Sequence, residues 1–492
     1  MAGGDLTDPG SSYSPTVGFL YTFNLIVGTG ALTLPKAFAE AGYVLGIVVL
    51  TCIGFVSYIA ATFVVEAMSN ANAILKAKKF DEIDSISQET HVEWTPREHD
   101  VIERSPLIEE QNVYEERDSR MFHIKERVEM GQMAALFYTR VGTYLFYICL
   151  VVYLYGDLSI YATAVPKTLR DVACTFINGT GPFNMSESDP CWISSPNLSR
   201  MNVYRIFVAC FAALLGPFLF FNVQKTKYLQ VCTSLTRWGS LSMMIILAAM
   251  WLAQGRGHGE PKLVELSNFS SVFGISVYAF MCHHSLPGVL TPIKRKNRIH
   301  GLVFGDFFSV VALYLLLALT GIFLYKEPRD LYTLNFFDTV DPVAPDFIRY
   351  FLALFPVFTL SSTFPIVGIT LRNNIRTLFS SITKQEFSWG VEKFLFPLIT
   401  LIPPLSIAML TNEVQFLVGF TGSYAGCVIQ YIVPATLLYC SRRMVATLIP
   451  SSVGTKLPYQ SPFKHVFWVW LLNLWAVAAI IIITINHIVY RK

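Results

Sequence analysis

Apolar runs of about 20 residues recur along this chain, and a run of that length can cross about 30 Å of hydrocarbon. Eleven are legible, roughly 17–38, 42–67, 135–165, 203–223, 230–253, 271–292, 302–325, 346–371, 391–411, 414–440 and 465–489. In a bilayer core every backbone polar group must be satisfied internally, so such a chain folds as a bundle of helices. Composition agrees: 53% of the 492 residues are hydrophobic and 14% are charged, against about a quarter charged in a soluble chain. The expected fold class is an all-α polytopic membrane protein with eleven transmembrane helices. The opening stretch, MAGGDLTDPGSSYSP, lacks the basic n-region of a cleaved signal peptide. A net charge of +3 is too small to argue for nucleic acid.

Lys and Arg in short loops set the orientation. Lys294, Arg295, Lys296 and Arg298 follow the sixth run, Arg372, Arg376 and Lys384 the eighth, and Arg442, Arg443, Lys456 and Lys464 the tenth. These loops are assigned to the cytosol, which puts the N-terminus in the cytosol and the C-terminus on the lumenal side. Three sequons, at Asn178, Asn184 and Asn197, crowd into the loop between the third and fourth runs. Charge had already placed that loop on the glycosylated side. A fourth, at Asn268, abuts a span. Of nine cysteines, only Cys174 and Cys191 lie in a lumenal loop, where an oxidising compartment favours their pairing.

The expected organisation is a cytosolic tail over 1–16, spans one and two over 17–69, an insert over 70–134, and spans three to eleven over 135–489 with a glycosylated lumenal loop at 168–202. In the insert, acidic residues outnumber basic ones 14 to 9 over 70–128. It reads as largely disordered, with a helical end, MFHIKERVEMGQMAALFY, feeding the third span. Within it ERSPLI sets Glu103 before Leu107 and Ile108, the pattern of an acidic dileucine signal read by clathrin adaptors. As a signal it directs the protein to endosomes and lysosomes, with the plasma membrane as the alternative; short motifs also match by chance.

The first span contains NLIVGTGALTLPKAF, Asn24 to Phe38. A dinucleotide fingerprint needs a strand before it and a third glycine, and a phosphate loop needs Gly-Lys-Ser/Thr; both are missing. Glycines and Pro35 instead suit a helix broken at bilayer depth, which is tolerated where it is buried or lines a watery cavity. The sixth span is interrupted too, by Cys282-His283-His284-Ser285 and Leu286-Pro287-Gly288. Breaks in spans one and six are what two five-helix inverted repeats with an appended eleventh helix predict.

At these residues the chain resembles the amino acid/auxin permease family, particularly the sodium-coupled neutral amino acid transporters. The likeness is carried by Asn24, Gly28, Gly30 and Leu32, by YAFMCH from Tyr278, by STFPIVGITLR from Ser362, and by LVGFTGSYAGCVIQYIVPATLL from Leu417. It implies a LeuT-like 5+5 inverted repeat and amino acid transport. The acidic insert and His284, where the branch typically has proline, depart from the pattern. By resemblance, Asn24, Ser362 and Thr363 bind a coupling ion, while Val27, Gly28, Thr29, Gly30, Phe280, Cys282 and His283 contact substrate.

Two residues are candidates for proton coupling. Asp157 is an acid inside the third span, where charge is expensive. His283 titrates near endosomal pH in its unperturbed state, although a hydrogen-bonding strut is the commoner role in such a position. Arg237 and Arg349 are expected to snorkel or pair with acids. His283 and His284 are adjacent, so they point to different helix faces and make a poor metal pair. No metal, cofactor or enzymatic activity is expected, only sodium or a proton as coupling ion. The partners are lipid and an amino acid. The expected function is secondary active transport by alternating access; the alternative is an amino-acid sensor or scaffold with little net flux, reporting through the insert.

Overall fold

A computed structural model describes residues 12–89, 121–175, 186–221, 227–337, 345–383, 387–452 and 457–490. The described chain is almost entirely helical: α1 Pro15–Ile26, α2 Gly30–Ala41, α3 Tyr43–Glu89, α4 Met130–Phe137, α5 Arg140–Ala173, α6 Arg200–Leu215, α7 Lys227–Ala253, α8 Phe269–Ala279, α9 Leu286–Leu290, α10 Ile299–Leu324, α11 Asp346–Thr383, α12 Phe396–Leu410, α13 Val414–Thr421, α14 Val433–Leu448 and α15 Val466–Tyr490. One small antiparallel hairpin, β1 Pro190–Trp192 and β2 Ser195–Ser199, lies between α5 and α6. The chain is thus a polytopic helical membrane protein.

Among the described residues nine helices are long and apolar enough to cross a membrane, or ten if α1 and α2, bent by 53° at a short break, count as one span. The sixth expected run, 271–292, differs from an ordinary span. It is divided into α8, a tight turn at His283–Ser285 and the short α9, so no single helix there has the length to cross.

Two expected boundaries move. The second-span helix does not end at residue 69 but runs on to Glu89. Asn70 and Asn72 are buried on it, Asn70 donating to Ser441 Oγ at 3.0 Å. The expected helical end of the insert starts only at Met130, where the Glu129 N–H donates to Gln132 Oε1 at 2.8 Å. Residues 122–129 are extended or turning and dock on α3. Asn72 Oδ1 accepts from the N–H groups of Lys125 and Glu126, its Nδ2 donates to the Glu126 carbonyl at 3.1 Å, and Phe122 and Ile124 are buried. The cause is chain direction: extended backbone offers N–H and C=O groups sideways, which a buried asparagine can satisfy. The sorting pattern at Glu103, Leu107 and Ile108 lies outside the described residues.

The end of the bundle that carries the hairpin is fastened by covalent and ionic links. Cys174 and Cys191 form a disulfide, as expected, with Cα atoms 4.6 Å apart. Helix α5 runs to Ala173, so the loop begins there rather than at 168. Asp171 pairs with Arg170 at 2.8 Å and Arg200 at 2.5 Å, and faces Arg329 at 3.8 Å; Lys167 reaches Asp330 at 2.7 Å. Asn197 is exposed on β2, while Asn178 and Asn184 lie outside the described residues. At the opposite end Tyr13 bridges to the segment after α9: its N–H donates to the Pro292 carbonyl at 3.1 Å and its carbonyl accepts from Lys294 at 3.0 Å.

Candidate functional site

Helix α1 ends at Ile26 because Val27 turns to extended backbone, and α2 restarts at Gly30. In the short break the Gly28 N–H faces the Tyr314 hydroxyl, the N–H groups of Thr29 and Gly30 find no acceptor among the described residues, and the Gly28 and Thr29 carbonyls already take the first bonds of α2. Two successive unbonded N–H groups at a helix N-terminus are an anion-binding arrangement. Neither neighbouring helix end is free: the Tyr314 hydroxyl of α10 lies 3.3 Å from the Ile26 carbonyl and 3.0 Å from that of Ala279, the last residue of α8.

The two interrupted segments meet here. A Cβ added to Gly30 would lie 2.7 Å from Ala279 Cα. Helix α8 is held from its other side by a glycine crossing, since a Cβ on Gly274 or Gly422 would fall within 2.1 Å or 2.0 Å of the other helix's carbonyl oxygens. Glycines at both crossings remove the atoms that would keep the backbones apart. Wide π-helical turns over Gly422–Gly426 and Val428–Ile432 accompany the second crossing.

Asp157 is buried in α5 and accepts a hydrogen bond from the Tyr278 hydroxyl, next to Ala279. Tyr153 also bonds to Asp157, and Tyr161 lies against Tyr278 and Thr29. Tyr153, Asp157 and Tyr161 stand four apart, so one face of α5 presents an acid between two phenols to both breaks. That spacing was readable in YLYGDLSIY, yet only the acid stood out.

The other expected residues sort by face. Phe280 packs on Phe307 and Tyr314 of α10, with ring centroids 6.1 and 5.5 Å away. His283 Nε2 meets the Ser57 carbonyl of α3 at 2.9 Å, a hydrogen-bonding strut, and Cys282 is fully buried. It is Tyr278 and His284 that turn to α5, His284 lying edge-on to Tyr153 at 5.4 Å. The side chains of Phe280 and His283 are therefore directed to α3 and α10. The adjacent histidines do point to different neighbours.

Asn24 donates to Ser234 Oγ of α7 at 2.7 Å. Ser362 and Thr363 donate along their own helix to the Thr359 carbonyl, at 2.9 and 2.7 Å. Arg237, expected to snorkel or pair with an acid, pairs with no carboxylate among the described residues and bonds to the carbonyls of Asn24 and Val27. Arg349 does reach an acid, Asp346, at 3.1 Å. A crevice lined by Phe23, Asn24, Val27, Arg237, Trp238, Leu241 and Leu313 leaves no room for a water-sized body. Sequence reading passed over Asp306 of α10, which is fully buried and whose two carboxylate oxygens have no partner among the described residues. An acid within an apolar run was its available signal.

Comparison with known proteins gives the following. The profile of the family described as transmembrane amino acid transporter protein matches residues 11–83 and 119–484. The chain is 45% identical over 501 residues to transmembrane protein 104 of Gallus gallus, covering 99% of this chain and 98% of that protein. It is 44% identical over 500 residues to transmembrane protein 104 of Homo sapiens, covering 99% and 98%. It is 36% identical over 529 residues to a transmembrane protein 104 homolog of Dictyostelium discoideum, covering 100% of each.

Proposed function

This chain belongs to the transmembrane amino acid transporter family, and from that premise we propose that it is a secondary active transporter carrying an amino acid by alternating access, with sodium or a proton as coupling ion. One observation carries the reading: the two interrupted helices touch at Gly30 and Ala279, beside the unbonded N–H groups of Thr29 and Gly30. There a carboxylate is offered backbone donors at the positive end of α2. Val27 to Gly30 contribute through main chain. Asp157 and Tyr153 of α5, with Tyr278 of α8, supply a titratable wall.

In this reading the divided segment 269–290 is the sixth of eleven spans, and the breaks in spans one and six are equivalent points of a LeuT-like 5+5 inverted repeat. The N-terminus faces the cytosol. The disulfide end faces the lumen of an endolysosomal compartment, or the outside of the cell, and is glycosylated at Asn178, Asn184 and Asn197. The insert carries the clathrin-adaptor signal.

The test is reconstitution. Purified protein in liposomes is given each labelled L-amino acid under an imposed sodium or proton gradient, and saturable uptake above protein-free liposomes supports the reading. Saturable binding with no flux would replace it with amino-acid sensing. The docked segment after the insert favours that second reading, because it couples the insert to α3 through Asn72.

A further inference from the structure

Arg237 extends from the middle of α7 to the break between α1 and α2. Its Nη1 donates to the Val27 carbonyl at 2.6 Å, to the Asn24 carbonyl at 2.7 Å and to Asn24 Oδ1 at 3.3 Å. Among the described residues no carboxylate pairs with it, and the phenols of Tyr161 and Tyr314 are its titratable neighbours. Its acceptors are carbonyls released at the C-terminal end of a half-helix, the negative end of the dipole, where an interrupted span is suited to hold a cation. Trp238 stacks on Phe23 with centroids 4.1 Å apart, and Ser234 takes the Asn24 amide, so the arginine is fixed to α1 from both flanks. An always-charged guanidinium meets these oxygens as a metal ion would.

Resting on the transport reading above, we propose that Arg237 is a tethered cation in the place of a coupling sodium ion at the first-span break, so that substrate binding needs no sodium. A charge attached to α7 compensates the end of α1 throughout the cycle. It cannot cross the membrane, so no sodium gradient does work at this point. The Asn24 oxygens that a sodium ion would use are already taken.

Two measurements test this. Detergent-purified wild-type protein is melted in sodium chloride and in choline chloride at equal ionic strength, and the same salts are used for uptake of labelled amino acids into liposomes. Expected are identical melting temperatures and identical initial rates for the wild type. Arg237→Gln should lower uptake on the order of tenfold or more, as removal of a buried hydrogen-bonded charge does. Arg237→Lys should recover most of the uptake in either salt. Sodium-specific stabilisation of the wild type, or uptake that stops in choline, overturns the proposal. If no amino acid is taken up in any salt, the transport reading fails, while the melting comparison on wild-type protein still decides whether sodium binds.

Discussion

Gly30 and Ala279 share one space: the position a Gly30 Cβ would need is 2.7 Å from Ala279 Cα and 2.9 Å from Ala279 Cβ. The start of α2 can rest on the end of α8 only because one of the two residues has no side chain. Gly28, two residues earlier, is different, since a Cβ there would meet nothing nearer than the Ile26 carbonyl at 4.0 Å.

The two glycines should therefore separate packing from binding. Gly30→Ala is expected to destabilise the bundle by about 1–3 kcal/mol, the usual cost of overpacking, and to lower both melting temperature and uptake. Gly28→Ala should leave the melting temperature nearly unchanged while raising the half-saturating substrate concentration. Unchanged transport kinetics in Gly28→Ala would remove the backbone carboxylate site from the proposal.

Asp157 is the acid that touches the second break, through Tyr278. If it carries the coupling proton, wild-type uptake should vary with the pH of the loading side, by up to about tenfold per unit where one site's occupancy limits the rate. Uptake by Asp157→Asn should be independent of pH. Asp306→Asn is the companion variant: a flat profile there, with Asp157→Asn still pH-dependent, would transfer the role to α10.

Asp171 is shared by Arg170 and Arg200 and faced by Arg329. Asp171→Asn leaves clustered guanidinium groups without their common carboxylate in a buried place. The expected loss is roughly 3–5 kcal/mol, read as a lower melting temperature under non-reducing conditions. Little change would mean that the disulfide alone fastens this end.

The docked segment 121–128 has its own test in hydrogen exchange. Asn72→Ala removes the acceptor for the Lys125 and Glu126 N–H groups, and exchange over 121–128 should quicken while α5 stays protected. His123 in this segment sits 3.0 Å from the Tyr459 hydroxyl. Burial, with Lys76, Lys125 and Lys296 nearby, lowers its pKa from the usual value. A group held neutral when docked resists proton uptake, so docking is at full strength above about pH 6.5, the released value. It should weaken as pH falls below that. Exchange over this segment that is no faster at pH 5.5 than at 7.5, after correction for intrinsic rates, would contradict this account.

Apolar runs, loop charge and cysteine placement determined a helical membrane bundle, a break within Asn24–Phe38, an interruption around Cys282–Gly288 and the Cys174–Cys191 pair. Each depends on local chemistry: the length of an apolar run, a missing Cβ, two thiols in one loop. Only the structure put the first break at Val27–Thr29 and kept Pro35 inside α2. Tertiary structure alone decided which side chains meet at the breaks. Nothing local puts Tyr314 across the ends of α1 and α8, Arg237 on the Val27 carbonyl, or Phe280 and His283 on the side away from Asp157, because those contacts join residues up to 288 positions apart. Helix rotation and the closeness allowed by Gly30, Gly274 and Gly422 set them. The first residues after the insert show the same limit. Their sequence is compatible with a helix, but a buried asparagine on α3 satisfies their backbone sideways, and that partner is far away in the chain.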